Sequence, residues 1–270
     1  MRGTSPPRLL AGERLLQGDR DVEVEGDRSS AEGPRLIRNG FALHLLGGFQ
    51  LQRHGVTVDV PQSAQRLLGF LALQARALAR PFVAATLWPE TTDDKAAANL
   101  RTALWRLHRP ELELIETIGG QLSMRAAVWS DVRAVREAAA AFRRFGSLPN
   151  GDVLLDARGE LLPGCWDGWL LFERERLRQD LANLGEATCA AHLSAGDHHR
   201  ALLHALAAVE CDPLRESANV WVLRAHIAAG NRSAAIRHAR RYATLLQDEL
   251  GIEPPEVVDE LLWTRPLTPA

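Results

Sequence analysis

Two eleven-residue strings in the C-terminal half repeat each other. "AGDHHRALLHA" begins at Ala195 and "AGNRSAAIRHA" at Ala229, so Gly196 and Gly230, like Ala201 and Ala235, stand 34 residues apart. Thirty-four residues is the tetratricopeptide period, in which glycine marks the turn between paired helices and small alanines let the helices approach closely. A chain with this period stacks helix pairs and buries the apolar face of each pair against its neighbour. Two copies are fewer than a free-standing array needs. The helical patterns at 131–145 and 166–195 must therefore supply the remaining packing.

From Asp131 onward the pattern is helical, apart from a Gly/Pro-punctuated connection from Gly146 to Gly164. The first half reads differently. Leu43 and Leu45 alternate with Ala42 and His44. After Gly47-Gly48, Phe49 and Leu51 alternate. After a turn at Arg53-His54-Gly55, Val56, Val58 and Val60 do the same until Pro61. This period of two predicts a short antiparallel meander. Three helices follow. The first covers Gln62–Leu78, with Leu67, Leu68, Leu71 and Leu78 on one side. The second is opened by Pro81 and stopped by Pro89. The third covers Lys95–His108, with Asp93 or Asp94 as its N-cap and Pro110 closing it. Residues 112–129 alternate again around Gly119-Gly120, which predicts a hairpin with a glycine tip.

The expected fold class is mainly α with small β: a winged helix-turn-helix over 35–129, then an α-helical tetratricopeptide-like domain over 130–270. Residues 1–34, rich in Gly, Pro, Ser and charge, read as a disordered extension. At roughly 150 residues per domain, the length of 270 agrees.

Charge is divided along the same lines. The whole chain carries a formal net charge of -2. Residues 1–34 hold 5 basic and 7 acidic residues, residues 35–129 hold 11 and 7, and residues 130–270 hold 16 and 20. The excess of +4 thus lies in the middle segment, where attraction to a polyanion would reside. Cys165, Cys189 and Cys211 are odd in number and widely spaced, which argues against a disulfide framework or a zinc site. His198-His199 beside Asp197 is better read as a capped helix start than as a metal site. No apolar run suits a signal peptide or a membrane span, so the expected location is cytoplasmic and nucleoid-associated. No catalytic set converges, no G-x-S-x-G or GxxxxGK[ST] occurs, and no cofactor is expected.

The third helix carries the sharpest functional signal. At about 100° per residue, Leu100, Ala103, Leu104 and Leu107 share one face, while Lys95, Asn99, Thr102, Arg106 and Arg109 share the opposite one. Arg101, Trp105 and His108 lie on the flank. Arginine donates two hydrogen bonds to guanine, asparagine pairs with adenine, and threonine, lysine and peripheral arginines suit phosphates. Arg101 joins this set from the flank. A winged helix-turn-helix sends such a helix into the major groove of double-stranded DNA.

These residues resemble the antibiotic-pathway (SARP-type) transcription regulators with a bacterial transcriptional activator domain. The resemblance covers roughly residues 40–262. Its marks are "LLGGFQL" near the start, "LRTALWRLHR" in the third helix, "CDPLRES" at 211–217 and "LGIEPPEV" at 250–257. It implies an OmpR-like winged helix ahead of a repeat domain, and an activator that binds direct repeats in promoter DNA, often as side-by-side dimers, and recruits RNA polymerase holoenzyme. It makes the third helix the recognition helix and Gly119, Gly120 and Gln121 the wing tip. It makes Glu90, Thr91, Thr92 and Asp93 the loop offered to polymerase. The wing reads "IGGQLSM" where the family carries a Gly-Tyr motif, and 144–162 departs from the family pattern. A competing reading makes the chain a repeat-based scaffold or adaptor whose first domain binds protein. For the helical domain, dimerisation, regulation and polymerase contact all stay open.

Overall fold

The computed structural model describes residues 40–109, 112–149, 153–157 and 159–263. These all fall within one compact unit, Leu36–Ala270. The extension read over 1–34, and Pro110, lie outside the described residues.

The chain is mainly helical with two small sheets. In the first sheet, β1 (Phe41–His44) pairs antiparallel with β2 (Gln50–Arg53), which pairs with β3 (Val56–Thr57). On its other side β1 pairs in parallel with β7 (Trp129–Ser130), giving the order β3-β2-β1-β7. Alternation over 42–60 thus yields a meander whose last strand stops at Thr57. Val58 continues only through its N–H, which donates to Leu51 O at 2.8 Å. The second sheet, β4-β6-β5, is the wing: β5 (Ile115–Ile118) and β6 (Gln121–Met124) form the hairpin, and β4 (Leu78–Ala79) adds to it. Ile118 opposes Gln121, so the turn is the two residues Gly119-Gly120, with φ of +58° and +80°. Positive φ at both positions is what a primed hairpin turn demands and what glycine supplies without strain.

The first helix is shorter than its apolar spacing predicts. This helix, α1, runs Gln62–Ala72 and not to Leu78. The N–H groups of Leu73 and Gln74 close its last turn on Phe70 O and Leu71 O. Leu78 then pairs with Leu122 in the wing, so a cross-strand partner overrides the local apolar spacing. α2 (Arg80–Leu87) and α3 (Asp93–Leu107) complete the helix-turn-helix. Leu67, Leu68 and Leu71 of α1, Val83 and Leu87 of α2, and Leu100, Ala103 and Leu107 of α3 are buried in one core with Leu122 of the wing.

That core continues into the helical part. α4 (Asp131–Phe145) starts where β7 ends, and the Asp131 carboxylate accepts the N–H groups of Leu45 (2.8 Å), Leu46 (3.0 Å) and Val132 (2.7 Å). Burial pushes this carboxyl above the usual carboxylate range, against the pull of those three donors. After α5 (Val153–Asp156) the chain returns to the first sheet. Leu46 bridges Leu161, Gly47 N donates to Glu160 O at 2.9 Å, and Leu162 N donates to Leu45 O at 2.8 Å. Gly159 makes this approach possible: its φ is +93°, and a Cβ there would sit 2.8 Å from Gly47 Cα. Arg136 joins Leu73 O to Glu173, and Arg174 holds the carbonyls of Leu161, Leu162 and Cys165 at 2.8–2.9 Å.

The remaining helices form the repeat: α6 (Gly168–Ser194), α7 (His198–Cys211), α8 (Glu216–Ala228), α9 (Arg232–Leu250) and α10 (Glu256–Trp263). The 34-residue match is structural as well as textual. Gly196 and Gly230 are both left-handed, Asp197 and Asn231 both cap the next helix with their side chains, and Ala201 and Ala235 are both fully buried.

Candidate nucleic-acid interface

α3 is presented by the helix-turn-helix core, and its apolar stripe fixes which face is left outside. Ala96, Leu100, Ala103 and Leu107 are buried, while Lys95, Arg101, Thr102, Arg106 and Arg109 are exposed and Asn99 is half-buried. The N-cap is Thr92, without a side-chain cap bond, and Asp93 and Asp94 fall in the first turn of α3 in place of the capping role expected for one of them. Acidic residues there still suit the positive end of the helix.

Among the described residues, two of the outward side chains are engaged. Thr102 Oγ1 donates to Ala98 O at 3.0 Å, and Arg106 Nη1 donates to Ser63 Oγ of α1 at 2.9 Å. Arg106 is thereby steadied by an exposed hydroxyl without being neutralised. Trp105, on the flank of α3, is 75% exposed. It lines a cleft between α3 and β5 with Arg80, Arg101, Leu104, His108 and Ile115. Arg80 is absent from the sequence-derived set. Its one local signal is its place before Pro81, which reads as helix initiation and not as a site.

The wing tip, Gly119, Gly120 and Gln121, is exposed next to an exposed Ile118. The loop after α2 exposes Glu90, Thr91, Thr92 and Asp93. Its first turn is closed by Thr91, whose N–H and Oγ1 donate to Trp88 O at 3.2 and 3.0 Å.

Other chemistry is quiet. Among the described residues no group of three or more His, Cys, Asp or Glu could hold a metal ion. Burial pushes the Cys189 thiol up to about 12 and Cys211 up to about 11, so both are protonated at neutral pH. Cys165 donates from Sγ to Asp167 Oδ2 at 3.0 Å, and burial raises its thiol too. No helix among the described residues is long and apolar enough to cross a membrane.

The model of the bacterial transcriptional activator domain matches residues 120–262, more than half of the chain. The chain belongs to that family. The resemblance to SARP-type regulators is thereby borne out, and with it the mainly helical fold class. The chain is similar to the regulatory protein AfsR of Streptomyces coelicolor, at 26% identity over 230 residues. That match covers 80% of this chain and 23% of AfsR, so the chain spans under a quarter of that relative's length. A solved structure of Mycobacterium tuberculosis EmbR, in complex with a low-affinity phosphopeptide, superposes with a TM-score of 0.54 at 20% identity. It covers 83% of this chain and 64% of EmbR, and it is a likeness of fold.

Proposed function

We propose that this regulator is a sequence-specific DNA-binding activator that reads promoter DNA through α3. The observation that carries the proposal is the division of α3 into a buried apolar stripe and an outward face of Lys95, Asn99, Thr102, Arg106 and Arg109, with Arg101 beside it. Arg106 and Asn99 are assigned to base edges and the other cations to phosphates. Gly119, Gly120 and Gln121 at the wing tip lie along the backbone. The loop Glu90 to Asp93 meets RNA polymerase holoenzyme, and two copies occupy direct repeats. Family membership supports the regulatory part of this reading, and the +4 excess over residues 35–129 supports a polyanionic partner.

The test is a selected-site gel shift with the double variant Asn99→Ala, Arg106→Ala. Specific binding should be abolished while circular dichroism is unchanged, because neither side chain is part of the core. Lys95→Ala should weaken binding to all sequences alike and lower the salt slope by about one. Unchanged specific binding by the double variant sinks the assignment and leaves the scaffold reading.

A further inference from the structure

Arg66 lies on α1, yet its guanidinium works between two other elements. Nε donates to Asp167 Oδ2 at 3.1 Å, while Nη2 donates both to Asp167 Oδ1 and, at 2.8 Å, to the backbone oxygen of Leu87. Its Cζ stands 6.0 Å from the Trp88 ring centroid. Leu87 is the last residue of α2 and Trp88 its C-cap. Arg66 therefore grips the point from which the loop 88–92 departs, and Thr91 is bonded to Trp88 in turn.

The other end of the grip is equally specific. Asp167 is the N-cap residue of α6 but makes no side-chain cap bond to that helix. An aspartate in this position usually stabilises its own helix by capping it. Here the carboxylate is turned instead to Arg66 and to the Cys165 thiol. Both Arg66 and Asp167 are mostly shielded from solvent. The planar fork of arginine can serve two acceptors in different directions, which a lysine ammonium does with far less geometric constraint.

Arg66 also belongs to a stripe. Three residues before it, Ser63 holds Arg106 of α3, and four residues after it, Phe70 meets Trp169 of α6 edge-on at 5.2 Å. Positions 63, 66 and 70 share one face of α1. That face joins the outward side of α3 at one end to the start of α6 at the other.

We propose that Arg66 is a positioning residue through which the helical domain sets the pose of loop 88–92, and hence the surface offered to polymerase. The inference rests on the activator reading above. Contacts run from the N-cap of α6 through Asp167 and Arg66 to Leu87 and Trp88, and from Trp88 to Thr91. Promoter binding by α3 does not need this route, because the Arg66 guanidinium bonds to Asp167 and Leu87 and not to α3. The two activities should therefore separate.

The experiment uses the full chain, a duplex carrying its selected site, and bacterial RNA polymerase holoenzyme. Arg66→Lys keeps the charge and loses the fork, and Asp167→Asn keeps an acceptor and loses the charge. Both should hold their affinity for the duplex within about threefold. Both should lose about tenfold in transcript at saturating promoter occupancy, the equivalent of one charge-assisted hydrogen bond. Melting curves identify any variant that unfolds, and Arg66→Gln then replaces Arg66→Lys. Transcript falling only in step with DNA affinity overturns the inference. So does transcript unchanged in the Arg66 and Asp167 variants while Glu90→Ala with Asp93→Ala lowers it. If the wild-type protein fails to bind the duplex, or if the loop variants leave transcription untouched, the activator reading fails and takes this inference with it.

Discussion

The front and rear of the molecule are held together by different means. From Phe41 to Leu184 the interior is one leucine-rich core, with Leu43, Leu67, Leu68, Leu71, Leu122 and Leu177 all essentially inaccessible. Behind it the repeat has two smaller cores. One is built on Cys189, Ala201, Ala205, Val222 and Ala225, and the other on Leu223, Ala235, Ala239, Tyr242, Leu246, Val258 and Leu262. Small residues bring helix backbones close but bury less apolar surface per residue. The rear also carries buried polar groups: Asn219 donates from Nδ2 to Pro213 O and Arg215 O, both at 2.9 Å, and its Oδ1 lies 2.9 Å from His238 Nε2. Because Nδ2 is the donor to those two carbonyls, Oδ1 faces His238, whose Nε2 must then carry the proton. The front should thus fail by loss of volume and the rear by titration.

The largest effect is expected in front. Leu67→Ala removes a fully buried side chain at the centre of the helix-turn-helix core. It should cost about 3–4 kcal/mol by urea denaturation, since truncated core leucines lose both transfer energy and packing. A loss under about 1 kcal/mol would mean that the core collapses around the gap and that its close packing is not what holds α1, α2 and α3 together.

The rear should be most sensitive to acid. Burial, with help from Arg241 and His226, pushes the His238 imidazole down to about 4 from an ordinary value of 6.5. The unfolded chain therefore takes up a proton as the pH falls through 6.5, while the folded chain resists until about 4. Stability from this group is present above pH 6.5 and is lost as the pH falls toward 4, on the order of 3 kcal/mol in total. His238→Gln keeps a donor for Asn219 and removes the titration, so its stability between pH 7 and pH 5 should fall less steeply than the wild type's. Parallel profiles would shift the acid sensitivity to another group.

What the sequence reveals depends on range along the chain. The apolar stripe of α3 is a local period, and Leu100, Ala103 and Leu107 are buried as the spacing predicts. The 34-residue repeat and the Asp197 cap are equally local, and so is the glycine tip of the wing. The end of α1 is not local: Leu78 keeps the helical apolar spacing but is claimed by Leu122, far along the chain. The engaged state of the candidate site is hidden for the same reason. Arg66 and Asp167 are separated by 101 positions, and Arg106 reaches Ser63 across 43. No period announces such pairs, so the face of α3 is readable while the contacts that hold its surroundings are not.

Within the front, the return of the chain to the first sheet should respond to backbone strain rather than to volume or titration. Gly159→Ala places a Cβ on a residue with φ of +93° and drives it to 2.8 Å from Gly47 Cα. A main-chain atom cannot rotate away, so a cost of about 2 kcal/mol is expected in thermal melts. An unperturbed variant would show that the 159–162 segment can leave the first sheet without consequence for the rest.

The smallest effect compares the two repeat copies with each other. Asn231 accepts Ala234 N at 3.3 Å, and Asp197 accepts Arg200 N at 3.0 Å. Asn231→Ala should cost about 1 kcal/mol, the usual value of a lost cap. Asp197 adds a full negative charge at the positive end of α7. The backbone N–H of Arg200, with His192, Arg200 and His199 nearby, outweighs the small cost of burial and holds its carboxyl below the ordinary carboxylate value of 3.8. Its contribution is therefore present above pH 3.8 and is lost as the pH falls below it. Asp197→Ala should lower the melting temperature more than Asn231→Ala in dilute buffer, and high salt should narrow the gap because both cap sites are exposed. Equal losses at every salt concentration would mean that the two copies are capped by geometry alone and that the aspartate charge adds nothing to the first.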